Sequence, residues 1–95
     1  MRKAIQEIKI KVIPVLQKHD VIHAAVFGSF ARGEEKEDSD LDILVELREG
    51  KSLLDLVALK LELEEVLKRK IDVATYNALH PEIRERVLEQ QVAII

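Results

Sequence analysis

The sequence predicts a small α+β domain of two layers, a mixed β-sheet of three or four strands covered by helices in the order α-β-β-α-β-α. Three observations carry that reading. A chain of 95 residues has room for one core. Its hydrophobic spacing switches between three- and four-residue steps and short β-branched runs. Turn and capping residues fall where the period changes. Residues 1–95 therefore read as a single domain, without repeat, low-complexity tract or linker.

Each element has its own signal. From Arg2 to about His19, Ile5, Ile8, Val12, Val15 and Leu16 recur at helical spacing among Lys, Glu and Gln, giving an amphipathic helix. Pro14 inside it predicts a kink or a restart. Val21 to Phe27 is apolar and β-branched and ends at Gly28-Ser29, as a buried strand entering a tight turn does. Residues 33–39 are a charged, solvated loop, Leu41 to Leu47 is the second strand, and Arg48 to Lys51 turns the chain.

Ser52 then caps a helix reaching to about Lys70, with Asp55 as the capping-box acid. Its apolar positions, from Leu53 to Leu67, form a stripe wider than one sheet face needs. The 52–70 helix is either packed on two sides or carries a partner surface, for a second copy or another protein. Leu56, Leu59, Leu63 and Val66 have a spacing that permits a helix–helix seam, with sheet packing the default. Ile71 to Tyr76 is the third strand, and Pro81 opens a last helix to about Gln90. Val92 to Ile95 adds a short edge strand or simply packs down.

Composition narrows the function. Apolar residues are 47% and charged residues 35%, a globular balance rather than a disordered or membrane one. With no cysteine there is no disulfide scaffold, thiolate metal site or thiol nucleophile. Apolar runs are far too short for a bilayer span, and the opening residues lack an apolar signal core, so a cytoplasmic setting is expected. A net charge of −3 argues against the broad basic surface of a duplex-binding protein. The only aromatics are Phe27, Phe30 and Tyr76, too few for a single-strand stacking platform.

The segment from Gly28 to Glu46 carries the chemistry. Asp40 and Asp42 flank Leu41 at the start of a strand, so alternation places both on one face, about 6.6 Å apart along the backbone. At an effective dielectric near 20 they repel by about 2.5 kcal/mol, and in full solvent by about 0.6 kcal/mol. The apolar strand favours the larger figure, and a hard divalent cation, Mg²⁺ or Mn²⁺, would relieve it. Alone, the same acids equally fit a turn before a strand. Gly28 permits close backbone approach to a ligand, Ser29 offers a hydroxyl and an N–H, and Phe30-Ala31-Arg32 can form a helical turn. Amides of such a turn face a phosphate well, and Arg32 adds positive charge. Gly-Ser by itself is commonly an ordinary turn. Paired with the two acids on the next strand, it makes a place for a nucleoside triphosphate and its metal.

Asp72 is a third acid, near the start of an otherwise apolar strand. If that strand lies beside the second, Asp72 faces Asp40 and Asp42. Three carboxylates suit two metal ions about 3.5–4 Å apart. Asp72 can also accept the proton of an attacking hydroxyl. The alternative is a strand-start residue at the solvent edge.

Gly28-Ser29, ten residues, then Asp40-x-Asp42 resembles the signature of the DNA polymerase β-like nucleotidyltransferase superfamily. The surrounding Gly28-Ser29-Phe30-Ala31-Arg32-Gly33 and Ser39-Asp40-Leu41-Asp42-Ile43-Leu44-Val45 look like its minimal nucleotidyltransferase branch, and the element order matches over nearly the whole chain. The resemblance implies the superfamily's mixed-sheet core without added domains. Gly28, Ser29 and Arg32 would bind the nucleotide, Asp40, Asp42 and Asp72 would hold Mg²⁺, and Asp72 would be the base. Members of this branch are commonly the antitoxin half of a pair with a helical HEPN-domain ribonuclease toxin, and some transfer AMP from ATP to a tyrosine of that toxin. The toxin's own Arg-x₄₋₆-His motif is not assembled here.

Two further readings stand beside transfer to a protein. One is a non-catalytic module that neutralises its partner by occlusion, which the wide stripe of the 52–70 helix suits. The other is transfer to a small molecule, as in the related aminoglycoside-modifying enzymes, against which the lack of a second, acceptor-holding domain argues. His19, His23 and His80 are dispersed and read as surface or capping residues, and Tyr76 as a half-buried packing residue. The acidic loop from Glu34 to Asp38 reads as solvated, with Lys36 able to close over a nucleotide.

Overall fold

The computed structural model describes residues 3–28, 33 and 40–95. Within these the order is α1 (Lys3–Lys18), β1 (Val21–Phe27), β2 (Leu41–Leu47), α2 (Leu53–Leu67), β3 (Ile71–Thr75), a 3₁₀ turn (Tyr76–Ala78), α3 (Pro81–Gln90) and β4 (Val92–Ala93). The strands form one sheet in the order β3-β2-β1-β4. β1 is antiparallel to both β2 and β4, whereas β2 and β3 are parallel. A parallel pair needs a crossover, and α2 provides it. The expected mixed sheet and element order are present, and Val92–Ala93 is a paired edge strand.

Alternation along the strands separates the core from the site. Leu41, Ile43 and Val45 of β2, Ala24 and Val26 of β1 and Ile71 of β3 are almost wholly buried on one face. They pack with Val12 and Leu16 of α1 and Leu59 and Leu63 of α2. The intervening positions, Asp42, Leu44 and Glu46 with their β1 neighbours Phe27, Ala25 and His23, project from the opposite face.

The element boundaries depart from expectation where tertiary or cap geometry decides. α1 runs through Pro14 without a restart. Pro14 and Ile10, whose carbonyl loses its helical donor, both lie on the exposed side, where water can solvate that group. α2 does have its capping box: the Asp55 carboxylate accepts from the Ser52 N–H at 2.7 Å and from its Oγ at 3.1 Å. The helix stops at Leu67 rather than near Lys70, because Lys68 takes the left-handed conformation (φ 57°) and its N–H donates to the Glu64 carbonyl. β3 ends one residue early, where Tyr76 enters the 3₁₀ turn.

The apolar stripe of α2 is divided. Leu59 and Leu63 are buried and Leu56 and Leu67 pack against the core, whereas Leu53, Leu54, Val57, Leu61 and Val66 are exposed. Packing into the core shared by α1 and the sheet therefore accounts for Leu56, Leu59 and Leu63 but not for Val66. Among the described residues no helix is long and apolar enough to cross a membrane.

Candidate active site

One end of the sheet gathers the singled-out residues. β1 finishes there, and β2 and β3 begin there. Phe27 is paired across the antiparallel ladder with Asp42, and Asp42 across the parallel ladder with Asp72. Register partners on neighbouring strands, about 4.8 Å apart, project to the same side. Asp42 and Asp72 therefore leave the sheet side by side, and alternation puts Asp40 on that face too. Their neighbours Leu41 and Ile71 point the other way and are fully buried, so the core holds the acids in place.

Gly28 closes the group. Its φ of +74° is a backbone conformation that side chains disfavour. A Cβ added there would overlap Oδ2 of Asp42 and stand 3.3 Å from its Cγ. The turn backbone thus lies directly against the Asp42 carboxylate, and only glycine leaves that carboxylate where it is. Ser29 and Arg32 lie outside the described residues, as do residues 34–39 with Lys36.

The acids are more open than the apolar strand suggested. Asp40 and Asp72 are exposed and Asp42 is partly buried. Screening by water at the exposed Asp40 brings its repulsion with Asp42 below the larger figure. Lys70 Nζ stands 4.0 Å from Asp40 Oδ2, a loose surface pair. Among the described residues no three His, Cys, Asp or Glu side chains stand close enough together to hold a metal ion. Register and alternation bring the three acids together as backbone positions, while their carboxylates are not gathered into a ligand cage. The donor set is nonetheless all hard oxygen, which fits a hard divalent cation.

The remaining titratable groups serve structure. His19 Nε2 is 2.9 Å from Glu62 Oε1, and Lys18 Nζ is 3.2 Å from the same oxygen. The His19 hydrogen bond, followed by that from Lys18, holds the Glu62 carboxyl below its ordinary range. The His80 Nδ1 accepts the Glu82 N–H at the start of α3, and His23 lies 4.0 Å from Glu46. The Tyr76 hydroxyl donates to Gln91 Oε1 at 3.0 Å. Burial, helped by the negative charge of Glu46, pushes its ionisation up, away from neutral acid–base work. His23 and His80 behave as the expected surface and capping residues and Tyr76 as a packing residue, whereas His19 is part-buried and ties α1 to α2 through Glu62. A feature that sequence reasoning missed is a cavity of about 1030 Å³ at the end of the sheet away from Gly28, lined in part by His23, Glu46, Leu56, Thr75, Tyr76 and Arg84. It has no sequence signature, because its walls come from distant segments.

Comparison with known proteins gives matches in both sequence and fold. The sequence profile described as "Polymerase beta, Nucleotidyltransferase" matches residues 10–95. A protein of Methanocaldococcus jannaschii, whose name gives protein adenylyltransferase as a provisional assignment, is 59% identical over 91 residues, covering 96% of this chain and 98% of its own. Protein adenylyltransferase MntA of Thermococcus cleftensis is 40% identical over 78 residues, covering 82% of this chain and 79% of its own. A solved structure provisionally described as a minimal nucleotidyltransferase superposes with a TM-score of 0.83 at 40% identity, covering 95% of this chain and 92% of that one. A toxin–antitoxin structure with AMP-PNP shares the fold at a TM-score of 0.79 and 20% identity, covering 92% of this chain and 72% of that one.

Proposed function

The chain belongs to the polymerase β nucleotidyltransferase family, and on that premise we propose that it moves AMP from ATP to a hydroxyl of a partner protein. The observation that carries this is the register pair Asp42–Asp72 beside the Gly28 turn. Asp40, Asp42 and Asp72 would hold Mg²⁺, two ions in the fullest form, with Mn²⁺ an alternative. Bound there, the metal would supply neutralisation of phosphate charge. The Gly28 backbone turn receives the triphosphate, with Ser29 and Arg32 as its further partners.

Asp72 lies on the outer side of Asp42, away from Gly28, where an acceptor can approach. It takes the proton of the acceptor hydroxyl as that oxygen bonds to the α-phosphorus. The bond from the α-phosphorus to the pyrophosphate oxygen breaks, pyrophosphate departs, and AMP remains on the acceptor. The protein's contribution is mostly positioning and charge placement.

The acceptor in this reading is a tyrosine of a HEPN-domain ribonuclease toxin, and the setting is the cytoplasm. The relatives' names support protein adenylylation. Incubating the chain with labelled ATP, Mg²⁺ and the HEPN protein of its pair tests the proposal. Labelling of that protein should be lost with Asp40→Asn/Asp42→Asn, and equal labelling by both forms would overturn the assignment. The exposed half of the α2 stripe favours a second reading, neutralisation by occlusion. Inhibition of the toxin by the double variant without nucleotide would support it.

A further inference from the structure

The outer edge of β3 offers backbone groups that no strand takes up among the described residues, since β3 is the terminal strand of the sheet. The ladder fixes which groups these are. Leu41 N–H donates to the Lys70 carbonyl. In a parallel ladder with that start, Asp72 and Ala74 turn their N–H and C=O toward β2, and Ile71, Val73 and Thr75 turn theirs away. The outward N–H of Ile71 is already capped, by Glu64 Oε2 at 3.1 Å. No side chain caps the outward N–H groups of Val73 and Thr75 among the described residues.

Sheet edges are commonly blunted by Lys, Pro, a bulge or extreme shortness. The opposite edge, β4, is only two residues long. β3 is longer, reads Ile-Asp-Val-Ala-Thr, and has Asp72 as its only charge. An edge left open directly beside the candidate base calls for an explanation.

We propose that the acceptor polypeptide binds here as an added, extended strand, hydrogen-bonded to Val73 and Thr75. This rests on the transferase reading above and deepens it by stating how the acceptor is held. Two observations select an extended peptide as the occupant. The outward valences are the Val73 N–H and C=O and the Thr75 N–H, in strand geometry that another strand can pair, while the Thr75 carbonyl opens the 3₁₀ turn. Register then does the positioning: a residue opposite Asp72 on an added strand projects to the same face, with Cβ atoms about 4.5–5.5 Å apart. Its hydroxyl would extend the row that runs from Gly28 through Asp42 to Asp72, with nucleotide at one end and acceptor at the other. Alternate side chains of the same segment would fall on the helix side of the edge, where Leu53 is 75% exposed.

The test measures residue-resolved amide hydrogen exchange by NMR on the full chain, with and without the HEPN-domain protein of its pair. Exchange at Val73 and Thr75 should slow by at least about tenfold on binding, with the Asp72 and Ala74 amides little changed. Unchanged exchange at Val73 and Thr75 in the complex would overturn the proposal, as would protection confined to the α2 face. In the companion labelling assay, Val73→Pro removes the outward N–H while sparing the ladder to β2, and Val73→Ala controls for the lost side chain. Acceptor labelling should fall about tenfold or more in Val73→Pro through a raised KM for the acceptor, with AMP-PNP binding unchanged and Val73→Ala within about threefold of wild type. Equal labelling by the two variants would also overturn the proposal. Protection without labelling would keep the strand docking and remove the transferase reading; labelling without protection would do the reverse.

Discussion

On one face of β2, Leu41, Ile43 and Val45 are sealed between the sheet and the helices α1 and α2. On the other, Asp42 is partly buried and Glu46 exposed, with Leu44 buried between them. A single strand thus carries a hydrocarbon core and a row of acids on alternate residues. The comparison shows how so small a chain holds charges in register without burying them: no polar or charged residue among those described is buried. The core residues fix the backbone, and the acids inherit their positions from it. Substitutions on the two faces should therefore separate function from stability.

The widest separation is expected at Asp42. Replacing it with Asn should lower AMP transfer about 10³-fold, equivalent to about 4 kcal/mol in the barrier, while the urea midpoint stays near wild type. Single-turnover labelling and equilibrium unfolding on one preparation check both halves. Leu41→Ala, one position away on the opposite face, should do the converse. It should cost about 3 kcal/mol of stability and leave the activity of the folded fraction near normal. A loss of activity at Leu41 larger than the loss of folded protein would break the comparison.

Gly28→Ala should bridge the two faces. The positive φ costs about 1–2 kcal/mol, and the new Cβ displaces the Asp42 carboxylate, so stability and transfer should fall together. Ser52→Ala should cost about 1 kcal/mol at the α2 cap with no change in transfer. The smallest effect concerns acid. Glu62 and Asp55 have carboxyls lowered in the folded state, by the His19 and Lys18 bonds and by the Ser52 cap respectively. A lowered folded-state value gives stability that is present above the ordinary carboxylate range and lost as pH falls below it. Urea midpoints should decline gently from pH 5 to pH 3, with a shallower decline in Glu62→Gln. A rising midpoint would contradict the assigned contacts.

Much of this arrangement was legible in the sequence, for reasons that differ by region. β1 and β2 were readable because β-branched apolar runs stop at Gly28 and at the charged loop before Asp40. The meeting of Asp42 with Asp72 followed from strand order together with the family resemblance; periodicity alone left the neighbour of β3 open. The end of α2 was not legible, since Lys68 takes a left-handed cap with no glycine to signal it. Pro14 left a kink or a restart open, and the continuous helix through it depends on which face of α1 meets the sheet. The division of the α2 stripe, the loose Lys70–Asp40 pair and the cavity at the Tyr76 end of the sheet are likewise tertiary facts. No local pattern encodes them.

Paramagnetic broadening of backbone amides during titration with Mn²⁺ and AMP-PNP addresses the acid row most directly. If the row is the metal–nucleotide site, signals of Gly28, Asp42 and Asp72 should broaden first, those of Glu46 and Tyr76 at the other end of the sheet should persist, and Asp42→Asn/Asp72→Asn should abolish the effect. Broadening centred away from the Gly28 end, or undiminished in the double variant, would contradict the account.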